Sequence, residues 1–248
     1  MHKLLGKNIL VIVAHPDDES FLVSGTAYKN YLVGGKTFLI CATLGEKGAS
    51  HLEKSLASAK IKFLRKKELE KASRCLKISK LFLLNLPDGS LKKYEKVLMN
   101  KCFVLAMKLK PEIIISFGED GISGHLDHIV IGKVARKIAD RLNIPFAAVA
   151  ISNRFRRETK KWLIQRRRVR HYSPNLNHGQ PNVIIKVSAK IKKKALSCHQ
   201  SQLDHGEPFK NFPSHAREEF MTREYFVFTP WPQSGFTGYN KPKERSRS

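Results

Sequence analysis

The sequence has few cysteines and lacks a long hydrophobic run. Its four cysteines, among 248 residues, are scattered without CxxC spacing, which is typical of reduced, buried thiols and argues against a disulfide framework or a cysteine-type zinc site. No apolar run approaches the roughly 18–20 residues that span a bilayer. The first residues also lack the apolar stretch and small-residue cleavage site of a secretory signal. We therefore expect a cytoplasmic protein.

Acidic residues are scarce relative to basic ones, 21 against 46, which gives a net charge of +25. Such an excess attracts anionic partners, although lysines spread over a solvated surface would give the same composition. Many basic residues lie in the segments 60–67, 154–170 and 190–194. Segment 154–170 would be the best nucleic-acid surface, because Phe155 and Trp162 lie between its charges. No recognised nucleic-acid-binding motif accompanies it.

Short apolar segments rich in β-branched residues alternate with helical patterns over the first 151 residues. Strands are predicted at 8–13, 37–43, 81–84, 112–116 and 146–151, and helices at 18–33, 52–76, 92–109 and 126–142. This alternation predicts an α/β fold, with a Rossmann-like, mostly parallel sheet covered by helices on both faces.

After about residue 152 the alternation weakens. A strand at 182–187, a helix at 189–202 and a last strand at 224–228 are predicted as a C-terminal α+β extension. At 248 residues, 42% of them hydrophobic, the chain is long enough for one domain with a substantial core. We expect a single domain over 1–240, with its core at 1–152 and the extension at 153–240. The polar tail 241–248 is predicted to be disordered.

Two short motifs carry most of the chemistry. The sequence His15-Pro16-Asp17-Asp18-Glu19 follows the first predicted strand, and Gly124-His125-Leu126-Asp127-His128 follows the fourth. Ligands of open α/β sheets bind beyond the carboxyl ends of the strands, where the strand order reverses. Each motif alone is also typical of a turn or a helix start. Together, at the same edge of a sheet, they predict one site.

The residue types in these motifs suit a hydrolytic metal site. Taken as ligands, His15, Asp18 and His128 leave coordination positions open, as catalytic zinc requires. We expect one Zn²⁺ per chain, with another divalent metal such as Fe²⁺ as the alternative. Asp17 lies next to a ligand without being needed as one, which suits a general base.

Two further residues of the second motif complete the predicted catalytic set. His125 precedes His128 by three residues and therefore shares its face on a helix or tight turn. If it is cationic, His125 can stabilise an oxyanion, with Asp127 holding its orientation and charge.

The motifs resemble those of the LmbE-like or PIG-L-like de-N-acetylases. Residues 14–19 match the family's AHPDDE motif without a change, and residues 124–128 match its GH-x-DH motif, with Leu126 where proline is frequent. Segments 43–46, 65–70, 86–89 and 194–202 also resemble family patterns, so the likeness spans most of residues 8–203.

This resemblance implies a zinc-dependent hydrolase that removes acetyl from N-acetylglucosaminyl conjugates. It implies the same ligands, Asp17 as general base and His125 as the electrophilic or acid partner. Arg65 and Asp88 match positions that hold sugar hydroxyls, and Glu46 is a further candidate for the pocket wall. Residues 152–182 and 203–248 follow no family pattern, so the group attached to the sugar is unassigned.

Two other functions remain open on the sequence alone. A basic protein of the same fold could bind nucleic acid or anionic lipid through 154–170, and a zinc hydrolase of another bond, such as a phosphoester, would use the same site residues. The charge of the chain also predicts an anionic aglycone, such as a carboxylate, phosphate or phospholipid, since basic residues begin a helix near the predicted pocket mouth.

Overall fold

The computed structural model describes residues 4–48, 57–165, 180–203 and 213–230, without the side chains of 159, 160 and 162–165. The tail 241–248, for which disorder is predicted, lies outside the described residues. So does the end of the basic segment 154–170.

The described strands form one seven-stranded sheet in the order β3-β2-β1-β4-β5-β7-β6. Its strands are β1 (Asn8–Val13), β2 (Lys36–Thr43), β3 (Lys80–Leu86), β4 (Ile113–Phe117), β5 (Phe146–Ala150), β6 (Val183–Lys186) and β7 (Arg223–Thr229). The first five strands pair in parallel, whereas β7 pairs antiparallel with both β5 and β6. The predicted α/β fold with a mostly parallel sheet is confirmed.

The central strands are buried because both faces of the sheet are covered. Val11 of β1 lies beside Leu39 of β2 on one side and Ile115 of β4 on the other. All three side chains are at most 1% exposed. The chain runs from β1 outward to β2 and β3, then returns to the opposite side of β1 as β4. The strand order therefore reverses between β1 and β4, where α/β sheets bind their ligands.

The described helices are α1 (Asp18–Leu22), α2 (Ser24–Leu32), α3 (Ser58–Cys75), α4 (Glu95–Leu109), α5 (Leu126–Leu142), α6 (Asn153–Gln165), α7 (Ala189–Leu196) and α8 (Ser214–Thr222). The predicted helix 126–142 has the same bounds as α5. None of the described helices is both long enough and apolar enough to cross a membrane.

The prediction of one helix over 18–33 is wrong, because the helix is interrupted between α1 and α2. Val23 has a non-helical backbone, with φ −136°. The new helix starts at Ser24, and its first N–H groups, from Gly25 and Thr26, donate to the Glu224 carboxylate at 2.9 and 2.8 Å. A carboxylate from β7 thus caps α2 and stabilises the start of a separate helix at this point.

The C-terminal extension also contains helices that the sequence pattern did not predict. α6 begins after Ser152, whose hydroxyl accepts a hydrogen bond from the Phe155 N–H at 3.0 Å. The predicted helix 189–202 ends at Leu196, and a 3₁₀ turn follows at Gln200–Gln202. The four cysteines are free thiols, and three of them are buried.

Candidate metal centre

The first motif folds back onto the end of β1. Oδ2 of Asp18 accepts hydrogen bonds from the N–H groups of Ala14 and His15, at 3.1 and 2.9 Å. These two bonds fix the carboxylate and occupy one of its oxygens. The other oxygen, Oδ1, lies 3.3 Å from Nε2 of His128. The two motifs, about a hundred residues apart in the sequence, thus meet at the carboxyl ends of β1 and β4.

Three donor atoms converge at this point. Nδ1 of His15 lies 3.1 Å from Nε2 of His128 and 3.8 Å from Oδ2 of Asp18. Two ligands of one tetrahedral zinc ion are separated by about 3.3–3.4 Å when each lies roughly 2.0–2.1 Å from the ion. Two separations, 3.1 Å between the ring nitrogens and 3.3 Å between His128 and Oδ1 of Asp18, are close to that value. The 3.8 Å separation joins His15 to the other oxygen, Oδ2.

The outer ring nitrogens show why a cation suits these donors. Nδ1 of His128 lies 3.2 Å from the Gly121 carbonyl oxygen, so it carries the hydrogen. Nε2 of His15 lies 3.1 Å from Oδ1 of Asp88 and 3.4 Å from Oδ2 of Asp127, which likewise places the hydrogen there. In the neutral rings the two inner nitrogens can therefore offer lone pairs to a cation, beside a carboxylate, as metal-binding histidines do.

The site favours positive charge strongly. Burial opposes the cationic form of His15, but the carboxylates of Asp127 and Asp88 outweigh it and raise the pKa of His15 to about 10. Burial also opposes the ionised form of Asp18, yet His128 and His15 hold its pKa below the usual range. The donor set therefore fits a divalent metal ion.

Within the described residues, two groups bring three donor atoms within 4.8 Å of one another: His15 with His125 and His128, and His15 with Asp88 and Asp127. Neither group includes Asp18, whose contacts with His15 and His128 use different carboxylate oxygens. The second group uses the nitrogen of His15 that faces away from His128. Carboxylates in that position orient a metal-binding histidine rather than replace it. The arrangement supports the predicted ligands His15, Asp18 and His128.

Asp17 has a strained backbone, with φ 109°, in a region that residues other than glycine rarely adopt. Its N–H donates to Oε2 of Glu19 at 3.1 Å, and its Oδ2 lies 3.3 Å from Nη2 of Arg65. Burial raises the pKa of Asp17 to about 6, although the Arg65 guanidinium opposes this. A carboxylate with such a pKa can take up a proton near neutral pH.

Arg65 holds the turn that presents Asp17. Its guanidinium is buried and donates to the carbonyl oxygens of Gly45 and Pro16. It also borders the cavity described below. The resemblance assigns Arg65 to sugar hydroxyls, whereas its polar contacts in the described residues are with the turn of Asp17 and with the Gly45 carbonyl oxygen.

A buried pair behind Asp17 was not predicted as functional. Oε1 of Glu19 lies 2.8 Å from Nε2 of His199 and accepts a hydrogen bond from the Ser20 hydroxyl at 2.6 Å. Burial lowers the pKa of His199, but Glu19 outweighs this and raises it overall. Glu19 ends the first motif, and His199 lies in the segment 194–202. Both residues therefore lie in segments that resemble the family, but the sequence does not indicate that they contact each other.

The predicted contact between the Asp127 carboxylate and His125 is wrong. The carboxylate accepts hydrogen bonds from the N–H groups of Gly89 and Leu91, at 2.7 and 3.1 Å, and its third partner is His15. Only the backbone N–H of Asp127 reaches His125, donating to Nδ1 at 3.3 Å. The reason is that residue 127 lies in the first turn of α5, where its side chain points towards the loop after β3.

His125 begins α5 as its N-cap residue. Because Nδ1 accepts a hydrogen bond, the ring hydrogen is on Nε2. Burial and the neighbouring His15 and His128 lower the pKa of His125. The neutral ring is therefore the favoured form here, and it can donate a hydrogen bond from Nε2 without carrying a charge.

The two remaining predicted substrate residues lie next to each other. Oε1 of Glu46 accepts a hydrogen bond from the Asp88 N–H at 2.9 Å, and Oδ2 of Asp88 accepts one from the Lys47 N–H at 3.0 Å. Asp88 borders the cavity, and Glu46 is absent from its described lining. Burial opposes ionisation of Asp88, but His15 lowers its pKa to about 2.

The side chains of the metal centre border a cavity of about 600 Å³, together with those of Asp17, Arg65, Asp88 and His125. Its apolar lining is formed by Phe21, Leu22, Phe117, Ile122, Ile151, Phe155 and Phe220. Phe117 lies next to the metal centre, because its ring stacks on that of His128 with centroids 4.0 Å apart. Among the described residues its basic side chains are Lys47 and Arg65. Arg154 and Arg157 of α6 are exposed and lie outside that lining.

Comparison with known proteins shows that the chain matches a known protein family. The model of the PIG-L family, described as GlcNAc-PI de-N-acetylase, matches residues 10–139. A probable N-acetyl-alpha-D-glucosaminyl L-malate deacetylase 2 from Bacillus anthracis is 28% identical over 208 residues, which cover 79% of this chain and 81% of that protein. A 1D-myo-inositol 2-acetamido-2-deoxy-alpha-D-glucopyranoside deacetylase from Saccharomonospora viridis is 25% identical over 92% of this chain and 97% of its own.

Solved structures share the fold at lower sequence identity. The N,N'-diacetylchitobiose deacetylase of Pyrococcus horikoshii is 21% identical, with a TM-score of 0.63, over 93% of this chain and 88% of its own. The 4-carboxy-2-hydroxymuconate hydratase of Pseudomonas putida also has a TM-score of 0.63, at 15% identity, over 95% of this chain and 100% of its own. One fold thus hosts both a deacetylase and a hydratase, so the fold alone does not define the reaction.

The family match is more specific than the fold. It covers more than half of the chain and includes most of β1, all of β4 and both motifs, whose side chains form the candidate metal centre. The chain belongs to the PIG-L family.

Proposed function

We propose that this protein is a zinc-dependent amidohydrolase that removes the acetyl group from an N-acetylglucosamine-type conjugate. One observation carries the proposal: the donor atoms of His15, Asp18 and His128 converge within 3.1–3.8 Å beside the buried carboxylate of Asp17. The family and its named relatives supply the bond that is cleaved, because these relatives are deacetylases of amino-sugar conjugates.

The side chains can perform amide hydrolysis in two proton transfers. A zinc ion held by the three ligands would supply Lewis acidity and lower the pKa of water towards about 7. Asp17 accepts a proton from the water that attacks the acetyl carbonyl carbon. His125 donates a hydrogen bond from Nε2 to the oxygen on which negative charge develops.

The same carboxyl group completes the reaction. When the carbon–nitrogen bond breaks, Asp17 returns the proton to the departing nitrogen. The products are acetic acid and a free amine, and Asp17 is again ionised. The acid then loses its proton to the amine or to solvent and is released as acetate. Arg65 and Glu19 hold the turn of Asp17 through contacts at 3.3 and 3.1 Å, so both act as positioning residues.

The sugar contacts remain proposals of the same kind. Asp88 borders the cavity and can accept hydrogen bonds from hydroxyl groups. Glu46 acts on the sugar only through Asp88, whose N–H it holds. The C-terminal extension contributes side chains to the same cavity, which supports one domain over 1–240.

The test compares metal-stripped protein with protein restored by Zn²⁺ or Fe²⁺. Acetate release is measured from N-acetylglucosamine, simple N-acetylglucosamine glycosides, N,N'-diacetylchitobiose and N-acetylglucosaminyl malate. We expect no turnover by stripped protein and recovery with Zn²⁺.

His128→Ala serves as the matched control, because it removes one ligand and leaves the base in place. We expect it to bind metal weakly and to release no acetate. Failure of the zinc-loaded wild type to release acetate from every conjugate would contradict the proposal. Recovery with Fe²⁺ and not Zn²⁺ would correct the metal alone.

A further inference from the structure

The aromatic wall, defined as Phe21, Ile151, Phe155 and Phe220, borders the same cavity as the metal centre. We infer that the aglycone is an apolar alkyl or aryl group and that it binds against this wall. The inference rests on the proposed function, since it names the group attached to the amino sugar.

The cavity is large enough to hold a group beyond the amino sugar. Its volume of about 600 Å³ lies within the roughly 300–1,000 Å³ of sites that enclose drug-sized ligands, so it has room for more than one amino sugar. The aromatic wall offers ring faces and an isoleucine to this space, which suit a group that needs no hydrogen bonds.

The aromatic wall is held in place by packing. The rings of Phe155 and Phe220 are stacked with centroids 5.6 Å apart, and the rings of Phe21 and Phe220 are 6.0 Å apart. These spacings are typical of favourable aromatic pairs. The wall therefore joins α1 of the core to α6 and α8 of the extension.

Buried charges support the wall from behind. Nζ of Lys192 lies 4.1 Å from the centroid of the Phe220 ring and 3.3 Å from Oε1 of Glu224. Both charged side chains are 1% exposed. A cation fixed against one ring face leaves that ring little freedom to turn. The wall is thus a preformed surface, which lowers the cost of binding.

The chemistry of the wall excludes a polar aglycone at this place. A polyol or carboxylate moved against it would lose bound water without gaining a hydrogen-bond partner, which costs free energy. An alkyl chain or aromatic ring gains by leaving water. Of the four residues of the wall, Ile151, Phe155 and Phe220 lie outside residues 10–139, the part that the family model matches.

The test uses an alkyl series of N-acetylglucosamine glycosides with methyl, butyl and hexyl groups, in both anomers, together with a phenyl glycoside. Acetate release gives kcat/KM for each. Because each buried methylene adds about 0.8 kcal/mol, we expect kcat/KM for the hexyl glycoside to exceed that for the methyl glycoside at least about tenfold in one anomeric series.

Variants then locate the effect. In Phe155→Ala and Phe220→Ala, the hexyl-to-methyl ratio of kcat/KM should fall to about three or less. The reason is that the alkyl chain can no longer be buried against the removed rings. Phe63→Ala is the matched control, because Phe63 is 62% exposed on α3 and does not border the cavity. It should keep the wild-type ratio. Phe155→Leu and Phe220→Leu retain apolar bulk and provide a reading if the alanine variants fail to fold.

The outcomes separate this inference from the proposed function. Equal kcat/KM for methyl and hexyl glycosides in the wild type, with acetate released from both, overturns the apolar aglycone and leaves the deacetylase. An unchanged hexyl-to-methyl ratio in Phe155→Ala and Phe220→Ala overturns the wall as its binding surface. Absence of acetate from every glycoside counts against the proposed function itself.

Discussion

The loops after β1 and β4 and the C-terminal extension face each other across one cavity, but different forces hold them. In the loops, side chains are fixed by the backbone: Asp18 accepts two N–H groups and so does Asp127. In the extension, the side chains are held by ring packing and by the ion pair of Lys192 and Glu224. Backbone hydrogen bonds fix atoms to a fraction of an ångström, whereas apolar packing tolerates exchange of side chains of similar volume.

The comparison indicates a division of roles. Chemistry that needs a metal ion and a base at fixed distances is located in the rigid loops. Contacts that select the rest of the substrate are located in the extension, where substitutions can change the preferred group without disturbing the ligands. Substitutions in each region should therefore have separable effects.

The largest effect is expected from Asp17→Asn, in the loops. The variant removes the base and no ligand, so kcat should fall by about 10²–10⁴-fold while zinc content stays near one per chain. Rates of acetate release and metal analysis of the purified variant check this. Asp18→Asn is the contrast, because it should lose zinc as well. A zinc-free Asp17→Asn with a zinc-loaded Asp18→Asn would show that the two carboxylates have exchanged roles.

In the extension, the largest effect is expected from Lys192→Met. Glu224 would remain buried without its cation, and breaking such a pair costs about 3 kcal/mol of unfolding free energy, at the low end of the usual range because backbone N–H groups still bind the carboxylate. Urea unfolding measures the loss.

Lys190→Met, an exposed lysine on the same helix, is the matched control and should change stability little. Combining Lys192→Met with Glu224→Gln should recover part of the loss, because no unpaired charge remains. A loss below about 1 kcal/mol in Lys192→Met would show that the pair is not what anchors the extension.

A smaller effect is expected from Asp127→Asn, which tests the corrected role of this residue. Removing the charge beside His15 should weaken metal affinity by about 10–100-fold, because the ring is then held less firmly in the binding tautomer. Titration against a competing chelator measures the affinity. Asp140→Asn, on the exposed side of α5, should bind metal as the wild type does. Unchanged metal affinity with slower turnover would restore the original assignment of Asp127 to His125.

The smallest effect is expected from the double substitution Arg154→Gln and Arg157→Gln. Both arginines are exposed on α6 outside the described cavity lining, so kcat/KM for neutral and anionic conjugates should change by less than about twofold at low salt. The prediction of an anionic aglycone requires the opposite, a salt-dependent loss for the anionic conjugate alone. Measuring both conjugates at low and high salt decides between them.

Much of the sheet could be predicted from the sequence, because its strands are short apolar runs between helix signals. β1 and α5 have the predicted bounds, and the first motif lies directly after β1 as expected. These features depend on local patterns. The break at Val23 could not be predicted, because the carboxylate that caps α2 comes from residue 224.

The candidate site divides in the same way. The convergence of the two motifs follows from the topology of a parallel sheet, so residue spacing sufficed to predict it. The role of Asp127 depends on where its side chain points, and sequence adjacency to His125 was misleading. Phe21, Phe155 and Phe220 are separated by up to about two hundred residues, with no motif around them, and each alone is typical of an ordinary core phenylalanine.

The cap that Glu224 places on α2 has a consequence for how the protein is made. During synthesis, both catalytic motifs leave the ribosome long before residue 224 is added. Until then the first N–H groups of α2, the second helix after the turn of Asp17, lack the carboxylate that they bind in the finished molecule. Contacts between positions so far apart form late in folding. The nascent chain therefore carries the residues for hydrolysis before it can hold them in place, and activity should begin only when the last strand has joined the sheet.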